Sequence, residues 1–257
     1  MTRFPARYPA VAAILAAAAF ASSVAIAAST DDTIPTAAGP VALHVIHHAA
    51  LTLTWNGLTI LVDPAPLQGG AAPADPAAEF KALPAPSIIL LTHDHPDHFN
   101  AQVLEAVTGG AAIFAPKEVA DQMPADLKTK TRVMANGDKT TIAGVSIEAF
   151  PMYNTTPDRL KYHPKGGGNG YILTIGGKRI YIAGDTEETP EMRALTNIDV
   201  AFLPMNLPFT IDIRHAAQAV KDFKPKVVYP YHYRGSDVEA FKTLVGDAAD
   251  VRLLKWY

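Results

Sequence analysis

From residue 41 onward the chain alternates short apolar runs with turns rich in Gly, Asn and Asp, a pattern that predicts many strands with helices between them. "VALHVIHHAALTLTWNGLTILVDP" reads as two or three short strands, with Asn56-Gly57 as the hairpin turn. Residues 64–86 are rich in Ala, Pro and Gly and predict a surface loop with little regular structure. "SIILL" is apolar throughout, which predicts a buried strand, and "AQVLEAV" predicts a helix capped by Asn100 and ended by Gly109-Gly110. "AAIFA" follows as a strand and Lys117–Gln122 as a helix, then "TRVM", "KTTIAG" and "VSIEAF" as strands. "GYILTIGGKRIYIAGDT" predicts a hairpin turning at Gly176-Gly177. A helix around Pro190–Leu195, the strand "DVAFLP", a helix over "DIRHAAQAVKDF" capped by Asp212, the strand "KVVYP", a helix over "DVEAFKTLV" and a last strand "VRLLKW" complete the order. The strands fall in two blocks with helices after each, and two packed sheets with helices outside would satisfy that pattern.

Composition narrows the classes. With 257 residues, 49% of them hydrophobic, the chain can bury a core as one domain or at most two small ones. Its formal charge of −3 and lack of any Lys/Arg-rich block argue against a nucleic-acid partner. Residues 1–28 have the layout of a secretory signal peptide: Arg3 and Arg7, the apolar run "AVAAILAAAAFA", then small residues with cleavage near Ala27 or Ala28. That run is short for a membrane span, which needs about 20 residues, so stable membrane insertion is not expected after cleavage. Residues 29–40 read as a flexible leader and 41–257 as a single domain. Cysteine is absent, which removes disulfides, thiol nucleophiles and thiolate metal sites. An export signal without disulfides fits a periplasmic or secreted protein.

The chemistry concentrates at "LLTHDHPDHFN", where His93, Asp94, His95, Asp97 and His98 crowd into six positions. Such a cluster would repel on protonation and resist burial unless a cation sits among its members. In an extended chain residues two apart point the same way, so His93 and His95 can grip one ion, while Asp97 and His98 follow a proline-forced change of direction and can face another. Further ligands should also sit at strand ends. Asp185 follows the strand of "YIAGDT", His232 follows that of "VVYPYHY", and His163 lies in the loop "KYHPKGGGNGY". Taken singly, each has an ordinary explanation as a turn or packing residue; the combination points to metal. A donor set of His and carboxylate suits zinc, manganese or iron.

In "THDHPDH", "GDT" and "YPYHY", with "LVDP" upstream and "HPKGGGNGYIL" between, the chain resembles the metallo-β-lactamase superfamily. The resemblance implies an α/β (α+β) fold, an αββα four-layer sandwich forming one catalytic domain over 41–257, with two divalent cations, zinc foremost, at one edge of the sheets. It implies that His93, His95 and His163 bind the first metal, Asp97, His98 and His232 the second, and that Asp185 bridges them. His163 is the nearest ligand in sequence order, because the end of the preceding strand carries Met152-Tyr153-Asn154 and no histidine. Asp63 of "LVDP" is expected to orient ligands, and Asp94 to do similar work. His44, His47 and His215 read as structural or surface residues; His48, beside the first turn, could approach the site.

Two cations bridged by a carboxylate can hold a water and lower its pKa toward roughly 7, giving a hydroxide that attacks a carbonyl or phosphorus. Asp97 and Asp185 are the catalytic residues on this reading, Asp97 able to orient the water or accept its proton, and the expected activity is hydrolysis of an ester or lactone, amide or phosphodiester in a small molecule. The layout is similar to the lactonase-like and N-acyl-phosphatidylethanolamine phospholipase D-like branch more than to secreted β-lactamases, which lack the bridging aspartate. A β-lactamase, a mononuclear iron oxygenase and a non-catalytic metal-binding protein remain as alternatives. Tyr153, Asn154, Asn206, Thr210 and Arg234, in polar-aromatic segments after strands, are the expected pocket residues, with Arg234 able to pair with a substrate carboxylate or phosphate.

Overall fold

The structure is a computed structural model that describes Met1 and residues 29–257 with the exception of position 72. The expected signal peptide, apart from Met1, lies outside the described residues. Two seven-stranded sheets form the centre. The first runs β1 (Asp31–Ile34), β2 (Val41–His47), β3 (Ala50–Trp55), β4 (Leu58–Val62), β5 (Ile88–Leu90), β6 (Ala112–Ala115) and β7 (Thr131–Val133), in that spatial order. The second holds β8 (Lys139–Ile142), β9 (Val145–Pro151), β10 (Asn169–Ile175), β11 (Lys178–Ile182), β12 (Val200–Pro204), β13 (Val227–Tyr231) and β14 (Asp250–Val251), also in sequential order. Each sheet begins as an antiparallel meander and continues as parallel strands, from β4 in the first and β11 in the second. Parallel neighbours need crossovers, and helices supply them: α1 (Ala78–Lys81), α2 (Ala101–Val107), α3 (Lys117–Gln122) and α4 (Ala125–Lys128) in the first half, α5 (Pro190–Arg193), α6 (Ile213–Phe223) and α7 (Val238–Val245) in the second.

Side-chain alternation builds three apolar layers from these elements. Leu43, Leu53, Ile60 and Ile88 of the first sheet meet Ile147, Leu173, Ile180 and Phe202 of the second in the central core. Leu61, Ile89 and Ile113, on the opposite face, pack under Phe80, Val103, Leu104 and Val119 of the first helical layer. Tyr181, Ala201 and Val228 do the same under Met192, Ala216, Val220 and Phe241. The result is the αββα four-layer sandwich expected from the sequence. Strand β5 explains its unbroken apolarity: Ile88 and Leu90 face the central core while Ile89 faces the helices. Among the described residues no helix is long and apolar enough to cross a membrane.

Local signals mostly act as read. Asn56 and Gly57 both take positive φ between β3 and β4, and Asp212 caps α6 by accepting from the Arg214 and His215 amides. Three expectations need correction. Asp31–Ile34, inside the segment read as a flexible leader, pairs antiparallel with Val41–His44 as β1; small polar residues gave no apolar signal, and the edge pairing rests on backbone hydrogen bonds. The loop over 64–86 contains the short α1, anchored by buried Phe80. The last predicted strand stops at Val251.

Tyr171, fully buried on β10, donates its hydroxyl to the Leu91 carbonyl at 2.7 Å and so ties the second sheet to the segment that enters the histidine cluster. Removing that hydroxyl leaves a buried carbonyl short of its donor, so Tyr171→Phe is expected to lower unfolding free energy by about 1–2 kcal/mol. Urea denaturation checks this; an unchanged midpoint would mean the bond contributes nothing.

Candidate metal centre

The strand ends of both sheets converge on one edge of the sandwich. Thr92 to His98 follow β5, Asp63 follows β4, His48 follows β2, Asp185 follows β11 and His232 follows β13. His163 comes from the long connection between β9 and β10. His48, Asp63 and His232 each sit one residue past a strand with φ of 51°, 44° and 46°. For residues other than glycine this left-handed conformation is strained, on the order of 1–3 kcal/mol each, and it turns each side chain sharply into the cluster. Gly184, φ +66°, lets the chain turn before Asp185; a Cβ there would stand 2.4 Å from Met152 Sδ.

The possible donor atoms fall into close groups, and His48 stands among them. Ligand atoms of His93, His95 and His163 lie within 4.8 Å of one another, and so do those of His48, Asp97, His98 and His232. Asp185 stands between the groups. Its Oδ2 is 3.5 Å from His163 Nε2 and 3.2 Å from His232 Nε2, and its Oδ1 is 3.4 Å from His98 Nε2. His93, His98, His163, Asp185 and His232 are all buried.

Outer partners fix the ring orientations. His98 Nδ1 donates to Asp63 Oδ2 at 2.8 Å, and Asp63 also accepts from the Thr92 amide and hydroxyl. Thr92 Oγ1 in turn lies 3.0 Å from His93 Nδ1. His163 Nδ1 donates to the Phe209 carbonyl at 3.2 Å. In each case Nε2 is left for the centre, and His93 Nε2, His98 Nε2, His163 Nε2, His232 Nε2 and Asp185 Oδ1 are buried without a hydrogen-bond partner.

Electrostatics reinforce the geometry. Burial pushes the His48 and His163 imidazoles down to about 4 and His93 well below its ordinary value, which keeps these rings neutral with lone pairs available. Burial would raise the Asp185 carboxyl, but the facing His232 and His98 outweigh it and hold it well below the carboxylate range. Burial acts against protonated His98 and His232, and the Asp185 carboxylate overrides it and raises both. The cluster thus demands positive charge at its middle.

Sequence reasoning missed three residues. His48 Nε2 donates to Asp97 Oδ2 at 2.9 Å while the Tyr257 hydroxyl faces its Nδ1 at 2.7 Å; only its place beside a turn hinted at this. Thr92 precedes the cluster and looked like ordinary strand. Glu187, two residues past Asp185 and buried, accepts from the amides and hydroxyls of Thr155 and Thr156 and from Arg159 Nη1 at 2.7 Å. It therefore clamps the start of the loop that delivers His163.

Other expectations fail here. Asp94 braces no imidazole; its carboxylate accepts from Gln122 of α3 at 2.6 Å. Tyr153 donates to Glu191, buried Asn154 donates to the Arg159 and Phe209 carbonyls, and Thr210 Oγ1 accepts from the Asn206 amide. These three side chains close loops and do not line the cavity over the centre, whereas Asn206 and Arg234 do. His44 and His47 pair with Asp31 and Glu79, and His215 with Asp212, away from the site.

Comparison with known proteins places this arrangement. The profile of the beta-lactamase superfamily domain matches residues 42–232. A UPF0173 metal-dependent hydrolase of Thermococcus onnurineus is 35% identical over 224 residues, 84% of this chain and 96% of the relative. Among solved structures, a Parabacteroides distasonis protein classed provisionally as a metal-dependent hydrolase is 39% identical with a TM-score of 0.78, covering 88% of this chain and 99% of its own. Igni18, a metallo hydrolase of Ignicoccus hospitalis, is 26% identical with a TM-score of 0.67 over 84% of this chain and 95% of its own. The chain belongs to the β-lactamase superfamily, within the group of UPF0173 metal-dependent hydrolases.

Proposed function

We propose that this protein is a binuclear metallohydrolase in which His93, His95 and His163 hold one divalent cation, Asp97, His98 and His232 hold a second, and Asp185 serves both. One observation carries the reading: five buried donor atoms, four imidazole nitrogens and a carboxylate oxygen, stand together and none of them makes a hydrogen bond. Each unpaired buried polar atom costs about 1–3 kcal/mol, so gathering them in one place makes sense around a ligand that satisfies all of them. Donors of nitrogen and oxygen alone suit zinc, with manganese or iron also accommodated.

Cations bound there would supply Lewis acidity, lowering the pKa of a coordinated water and stabilising negative charge that develops on the substrate. The chain's own residues do the positioning. Asp97 lines the cavity, and His48 holds its Oδ2. That places the Asp97 carboxylate to orient an attacking water and accept its proton. Neutral His48, backed by Tyr257, fixes the direction of that carboxylate. Asp63 and the Phe209 carbonyl keep His98 and His163 from rotating away. Nothing in this scheme needs a serine or cysteine nucleophile, and the bond cleaved is an ester or lactone, amide or phosphodiester. The N-terminal layout supports work in the periplasm or outside the cell.

Elemental analysis of the purified protein is expected to find about two divalent ions per chain. Asp185→Asn and His232→Ala should each lower kcat/KM by more than about a hundredfold with the circular dichroism spectrum unchanged. Full activity at normal metal content in both variants would sink the two-cation assignment. Because the Asp185 carboxylate holds protons on His98 and His232, cations must displace them. Cation affinity measured by competition with a chelator dye should therefore be weaker at about pH 6 than at about pH 8, with proton release on binding. Equal affinity at the two values would argue against these imidazoles as ligands.

A further inference from the structure

The cavity over the metal centre, about 420 Å³, has two chemically unlike ends. Beside His163, Tyr162 and Phe209 meet edge to face with ring centroids 5.0 Å apart. Leu160, Leu207 and Phe209, in the same two loops, are exposed at 46%, 48% and 41%. Beside His232, Arg234 lines the cavity, and its Nη2 donates to the Gln68 carbonyl. That contact anchors one nitrogen of the guanidinium, and Arg234 forms no ion pair among the described residues. Tyr257, exposed at 40%, lies with its ring 6.0 Å from the guanidinium carbon, and Leu67, exposed at 42%, adjoins Gln68. Exposed Phe209 thus lines the cavity itself, and Tyr257 lies beside two of its lining residues, His48 and Arg234. Exposed apolar surface gathered around a polar pocket marks a ligand with an apolar part. An anchored guanidinium without a carboxylate marks an anionic part, since its planar fork matches a carboxylate or a phosphate.

Resting on the hydrolase reading, we propose that the substrate is an anionic amphiphile: an acyl ester or amide joining an apolar acyl group, seated on Tyr162 and Phe209, to a small unit bearing a carboxylate or phosphate, received by Arg234. The scissile carbonyl then lies over the cluster between the two ends. Water adds its oxygen to the carbonyl carbon and the C–O or C–N bond breaks. The acyl part leaves as a carboxylate, and the two protons of the water go one to the leaving alkoxide with the other released to solvent, giving the alcohol, or both to the leaving nitrogen, giving the ammonium form of the amine. A protein or membrane docking on the apolar rim would make no use of a guanidinium inside the cavity, which is why the observations favour a substrate.

The test uses the metal-loaded enzyme and matched substrates: N-decanoylglycine against its neutral methylamide, and phosphorylated N-decanoylethanolamine against the unphosphorylated amide, each with its acetyl counterpart. The anionic member of at least one pair is expected to show kcat/KM about tenfold or more above its neutral partner, and decanoyl is expected to exceed acetyl. The pair with the larger ratio identifies the anion. Arg234→Met should abolish the preference for charge, Arg234→Lys should restore part of it, and Phe209→Ala should narrow the preference for the long chain. Neutral and anionic partners turned over equally would overturn the inference while leaving the hydrolase reading in place, as would a charge preference that Arg234→Met does not change. Failure of the metal-loaded enzyme on all of these, and also on aryl esters, lactones and phosphodiesters, would overturn the hydrolase reading itself.

Discussion

A carboxylate buried at 2% exposure and faced within 3.5 Å by three imidazoles, that of Asp185, sets the terms on which the rest of the structure is built. Taking such a group out of water is unfavourable by several kcal/mol unless positive charge stands beside it. No lysine or arginine among the described residues approaches it within ion-pairing distance, so the compensation has to come from histidine protons or from cations. Every neighbouring feature serves that requirement. Gly184 turns the strand so that the carboxylate reaches the seam, Asp63 and Phe209 point imidazole nitrogens at it, and Glu187 fastens the loop that brings the most distant ligand.

The sheet topology explains why the requirement can be met at one edge. Each half of the chain is a meander followed by parallel crossovers, and parallel strands deliver their C-terminal ends to the same side of a sheet. The first half contributes His48, Asp63 and the run from His93 to His98; the second contributes His163, Asp185 and His232. Neither half holds a complete donor group around Asp185. The site is thus a product of the sheets docking, and Tyr171, reaching from one sheet to the carbonyl of Leu91 in the other, couples that docking to the place where the histidines begin.

Much of this was legible in the sequence because it is written locally. Alternation gives the strands, Asn56-Gly57 and Asp212 mark a turn and a cap, and a dense run of His and Asp has few other physical justifications. Contacts that depend on long-range return of the chain were not legible. His48 is turned toward Asp97 by its own positive φ just past β2, and nothing in its neighbours announces that conformation. Tyr153, Asn154 and Thr210 misled for the opposite reason. Polar side chains after a strand can face a ligand or close their own loops, and here Tyr153 donates to Glu191, Asn154 donates to the Arg159 and Phe209 carbonyls, and Thr210 accepts from the Asn206 amide. The strand Asp31–Ile34 escaped notice because an edge strand can be held by main-chain bonds with little apolar character.

The left-handed backbone at His48, Asp63 and His232 has a further consequence, for how this protein can change. Glycine would relieve the conformational strain at each of the three positions at once, yet it would delete the imidazole or carboxylate that the strain exists to aim. Thermostability and chemistry are therefore opposed at these sites, and selection for a hardier molecule alone would erode the centre first. A lineage that kept the fold while abandoning the reaction should drift toward glycine or asparagine at positions 48, 63 and 232, leaving in the backbone a legible trace of the function it had lost.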